Sequence, residues 1–142
     1  MSPQDRKVVS ESKLRALGVP VNQYLPMIEA EGDVEVRSQE EVLRRLIALW
    51  AVVDKAFLKS GSETATYISS NKMDAWLSKV EREFLFDNKP NERDVIHFTW
   101  QLEALYFVAW CAGLLECSEI PNDESSVKPI LHLFPSGVET PE

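Results

Sequence analysis

This chain holds little of what enzymes most often use. Its 142 residues include two histidines, His97 and His132, and two cysteines, Cys111 and Cys117. So few imidazoles leave little room for histidine-based general-base or metal chemistry. Cysteines six positions apart match no zinc or redox spacing, so both are expected as free thiols in a reducing compartment. Phosphate-binding glycine loops are missing in both the G-x-x-x-x-G-K-S/T and G-x-G-x-x-G forms, as are C-x-x-C, H-E-x-x-H and the G-x-S-x-G elbow. No metal or cofactor is expected. No apolar run reaches the roughly 20 residues that a membrane span needs. Residues 1–11 hold no apolar stretch of the kind a secretory signal carries, so a cytoplasmic location is expected. Positive charge is also short: 15 Lys and Arg stand against 23 Asp and Glu, for a net charge of -8. A surface of that sign repels nucleic acid and anionic membranes. It suits solubility, or a basic protein partner.

What the chain does have is helix. Hydrophobic residues make up 44% and charged residues 27%, the mix of a soluble globular protein, and the length suits one domain. The reading is all-α: a single helical domain over residues 1–136, with 137–142 as a disordered tail. The stretch 92–115, capped by Asn91, reads as one helix. From Leu102 to Leu115 its only charged residue is Glu103. A helix that is apolar all round is expected to be buried all round, so this one is placed at the centre. Ser38 and Glu41 form a capping box for a helix to about Lys59, with Val42, Leu46, Leu49, Val53 and Phe57 as its apolar stripe. This helix is expected to pack on the central one.

The other elements follow from local signals. Ser2, Pro3 and Asp5 open a helix that Gly18 stops. Residues 18–37 read as extended, pinned to the core by Val19, Val21, Tyr24, Leu25 and Ile28. Residues 62–76 are read as a helix, although Thr64, Thr66 and Tyr67 favour strand. Ser78 and Glu81 make a second capping box, opening a helix that buries Val80 and Phe84. Val127, Ile130, Leu131, Leu133 and Phe134 supply a docking segment near the C-terminus.

Glu103 is the main candidate for chemistry. Helical geometry projects it among Ile96, Thr99, Trp100, Tyr106, Phe107 and Trp110. A carboxylate buried there must be paired or take up a proton. Arg45 sits at the edge of the stripe on the 39–59 helix, so an Arg45–Glu103 ion pair is expected. Arg45, Glu103, Trp100 and Trp110 then form either a structural ion pair or a ligand cleft. His97 points to a different face of the helix from Glu103, about 120° away, so the two form no local dyad. Cys111, inside the apolar helix, is expected to be buried and slow to react. The acids Glu29, Glu31, Asp33 and Glu35 do not match a calcium loop and offer a surface for a basic partner.

Four blocks in order, LGVPVNQYLP, RSQEEVLRRLIALW, LSKVEREFL and FTWQLEALYFVAWCAGLLECSEIP, resemble a bacterial family catalogued as domain of unknown function 4272. They cover roughly residues 14–121, and Arg45, Trp100, Glu103, Ala104, Leu105 and Trp110 match the family's characteristic positions. The resemblance implies a mostly helical domain and no particular activity. Longer members continue with further helical sequence ending in an Arg- and Trp-containing motif. A site completed by that part is expected to be missing here. The residues together favour a non-enzymatic protein-interaction module, of immunity or adaptor type, that binds a basic partner. The alternative is an enzyme or small-ligand binder with a cleft around Glu103, Arg45 and the tryptophans.

Overall fold

The helix on which the core is assembled is α2 (Gln39–Leu58), not the stretch 92–115. The computed structural model describes residues 1–58, 61–116, 123–126, 128–131 and 133–134. Among them are seven α-helices and no strand, an all-α fold. No described helix is long and apolar enough to cross a membrane. The chain divides into two compact units, residues 1–37 and 38–142.

The first unit is one helix and a return segment. In α1 (Pro3–Ala16), the Ser2 hydroxyl accepts from the Asp5 amide and the Asp5 carboxylate accepts from the Ser2 amide, a complete capping box. Gly18 ends the helix at a φ of 75°, where the Val19 amide reaches back to the Leu14 carbonyl at 2.9 Å. Only glycine takes this left-handed geometry without strain. Lys7 ties the return segment down by donating to the Leu25 carbonyl at 2.5 Å. The apolar pins expected here do not reach a core. Val19, Tyr24, Leu25 and Ile28 are exposed, and Val21 is half-buried.

The second unit is built on α2. Ser38 and Glu41 cap it as expected. From Leu46 to Ala56 every residue except Ile47 and Lys55 is buried. A helix covered on all sides needs apolar residues on all sides, and LIALWAVV meets that need. Four helices pack on it: α3 (Gly61–Ser70), α4 (Lys79–Phe86), α5 (Glu92–Thr99) and α6 (Gln101–Cys111). The helix expected over 62–76 stops at Ser70. Lys72 turns the chain at a φ of 57°, and a 3-10 turn follows over Asp74–Trp76. The capping box of α4 forms, but it is Glu81 that is buried and Val80 that is exposed. At the other end of α4, the Lys55 ammonium donates to the carbonyls of Phe84 (2.5 Å), Leu85 (2.9 Å) and Asp87. A cation at a helix C-terminus satisfies carbonyls that have no partner within the helix. Phe84 stacks on Phe98 of α5 at 4.2 Å between centroids.

The expected central helix is two helices. It is interrupted at Trp100, next to Thr99, whose hydroxyl donates to the Ile96 carbonyl at 2.7 Å and competes with the backbone ladder. Together α5 and α6 bury one stripe, Phe98, Leu102, Leu105 and Ala109, against the core. On the other side the large apolar residues are exposed. Cys111, expected inside, is exposed. Near the C-terminus α7 (Lys128–Leu131) buries Ile130, and Phe134 stacks on Trp50 at 5.4 Å. This agrees with the docking segment expected there. Cys117, Val127, His132 and residues 137–142 lie outside the described residues.

Candidate interaction face on α5 and α6

Of the four residues expected to form one site, Trp100, Glu103 and Trp110 share the outward side of the helix and Arg45 does not join them. Arg45 pairs with Glu81, its Nη1 2.6 Å from Oε1. Glu103 is exposed and is held by Ser125, whose amide donates to Oε1 at 2.8 Å and whose hydroxyl donates to Oε2 at 2.7 Å. The predicted Arg45–Glu103 pair is therefore absent. Its premise was a buried Glu103, and the helix turns that residue outward. The buried carboxylate on Arg45 belongs to α4 instead.

Glu81 does two jobs at once. As the third residue of α4 it accepts the Ser78 amide at 2.8 Å on Oε2, and on Oε1 it accepts Arg45. Burial raises its proton affinity. The Ser78 amide, Arg45 and the Ser78 hydroxyl together outweigh that, so its pKa lies below the ordinary glutamate value. A second buried carboxylate, Asp54 on α2, accepts from the buried hydroxyl of Thr64 on α3. Both acids knit helices together inside the unit. Sequence reasoning found Glu81 as a cap but missed its burial and its arginine, because both depend on where α4 lands on α2.

The outward side of α5 and α6 is unusual in composition. Ile96 is 52% exposed, Trp100 62%, Phe107 63% and Trp110 50%. Together with Glu103 they follow at intervals of four, three, four and three residues, so they form one stripe along the helices. Phe107 and Trp110 touch, with centroids 5.9 Å apart. Single exposed apolar residues are ordinary, but a row of four large ones is a patch. Glu103 lies within the row, beside Tyr106. Tyr106 has its phenol pushed up by burial and, secondarily, by the Glu103 charge.

The other candidate surface is exposed charge on the first unit. Glu29, Glu31, Asp33 and Glu35 are all exposed, and Glu31 lies 3.4 Å from Arg6. A shallow cleft of about 410 Å³ lies beside them, lined by Arg6, Met27, Ile28, Glu29, Glu31, Val34 and Val36. No group of three or more His, Cys, Asp or Glu that can hold a metal is present among the described residues.

The family model described as Domain of unknown function (DUF4272) matches residues 6–140, nearly the whole chain. The chain belongs to the DUF4272 family. No curated protein and no solved structure matches it. Membership agrees with the resemblance read from the four sequence blocks. DUF4272 carries no activity in its description, so function has to be argued from the face itself.

Proposed function

We propose that this DUF4272 protein is a non-enzymatic protein-interaction module, and that the outward stripe of α5 and α6 receives its partner. The observation that supports the reading is the exposure of Ile96, Trp100, Phe107 and Trp110 in one row. Tryptophan and other large aromatics are the residues that most often anchor protein–protein contacts. The partner is basic. It meets a chain of net charge -8, with Glu103 inside the apolar row. The exposed acids Glu29, Glu31, Asp33 and Glu35 add long-range attraction, which raises the on-rate more than the affinity. A ligand cleft built on Arg45 together with Glu103 has less support, since Arg45 pairs with Glu81 instead.

Cys111 at the end of α6 provides the test. It is exposed, so its thiol is open to reagents in the folded protein. With Cys117 replaced by serine, one thiol reports on this helix. A basic partner recovered from the native cells should slow the labelling of Cys111 severalfold at saturation. An unchanged rate in the saturated complex would place the contact elsewhere.

A further inference from the structure

A surface that covers Trp100, Phe107 and Trp110 must also cover Glu103, because Glu103 lies between them in the row. Covering a carboxylate with apolar groups alone costs several kcal/mol, so a partner lacking a cation at that point is rejected. Glu103 is already oriented for such a cation. Ser125 holds one bond to each carboxylate oxygen, at 2.8 and 2.7 Å. A carboxylate has about four acceptor sites, which leaves roughly one on each oxygen. A guanidinium can fill one of these sites and stack its plane on a neighbouring indole, which the compact, strongly hydrated ammonium does less well. The aromatic faces of Trp100 and Trp110 favour a cation as well. The partner's shape is also constrained. The described residues are helical and offer no sheet edge to an extended peptide. A stripe on a helix is filled by side chains at helical spacing.

We infer that the partner segment received by this face is an amphipathic helix of another protein, presenting an arginine to Glu103 between apolar side chains that cover Trp100 and Phe107. This inference rests on the reading of the face as the partner surface. Ser125 is part of the site: its two bonds keep the carboxylate turned outward and ready.

The test uses the full chain and three labelled helical peptides of about 14 residues, a length that matches the stripe at about 1.5 Å per residue. They carry leucines at helical spacing and differ only in a central arginine, glutamine or glutamate. Titration by fluorescence anisotropy should show the arginine peptide binding about tenfold tighter than the glutamine one, with the glutamate peptide weakest. Glu103→Gln keeps an acceptor for Ser125 and should erase that difference. Glu103→Arg should invert it. Equal binding of the arginine and glutamine peptides, or an arginine preference that survives Glu103→Gln, overturns the inference while leaving the face intact. Binding of the arginine peptide that is undiminished by Trp100→Ser with Phe107→Ser overturns the face reading itself, and so does failure of all three peptides to bind.

Discussion

Glu81 shows how much one side chain can carry. It closes the capping box of α4 and pairs with Arg45 of α2, so it joins two helices while satisfying the amide of the cap residue Ser78. Its pKa is depressed in the folded state, so the stability it supplies is present above the ordinary glutamate value of 4.5 and is lost as pH falls through the folded value. Unfolding curves from pH 7 down to pH 3 should show this loss, and the acid-sensitive part should shrink in Glu81→Gln. Arg45 is nearly half exposed, with 44% of its side chain accessible, so its bond is partly screened by water. Arg45→Ala is therefore expected to cost about 1–2 kcal/mol, less than a fully buried pair would lose. Lys72 offers a gain at the same scale. It sits at a φ of 57°, which disfavours any side chain. Lys72→Gly should raise stability by about 0.5–1 kcal/mol, read as a higher midpoint in urea. A lower midpoint would show that the lysine side chain contributes more than its backbone strain.

Among the elements, the contrast between α2 and α6 is the informative one. Both carry an apolar stretch that turns through every side, yet only that of α2, residues 46–56, is nearly all buried. Periodicity located α1 to α4 and ran α5 and α6 together as one helix, and the capping boxes at Ser2, Ser38 and Ser78 were legible because a cap is a local pattern of four residues. Which apolar helix lies at the centre was not legible, because that depends on how many neighbours each one receives. The same gap misplaced Glu103 and Cys111 inside and hid the burial of Glu81 and its pairing with Arg45. Helix existence is local, and burial is a property of the assembly. The two faces of α6 should separate cleanly by mutation. Leu105→Ala, at a fully buried position, should cost about 2–5 kcal/mol. Trp100→Ser, on the outward face, should stay within about 0.5 kcal/mol. Similarly, Lys55→Met removes the cation from the α4 C-terminus and should cost about 1–2 kcal/mol by denaturant unfolding.

For the molecule as a whole, charge and apolar surface act at different ranges. The net charge of -8 acts over roughly a Debye length, about 8 Å in physiological salt, and the aromatic row acts on contact. Raising salt should therefore slow association with a basic partner several-fold and leave dissociation less affected. Neutralising Glu31, Asp33 and Glu35 together should act in the same direction, and stopped-flow association rates at two ionic strengths check both. The central claim is that α6 divides into a face that folds the protein and a face that binds. The most direct measurement is the partner affinity of the Trp100→Ser, Phe107→Ser protein, read beside its melting temperature. The account predicts a loss of at least about tenfold in affinity with the melting temperature nearly unchanged. Unchanged affinity, or a collapse of the melting temperature, would contradict it.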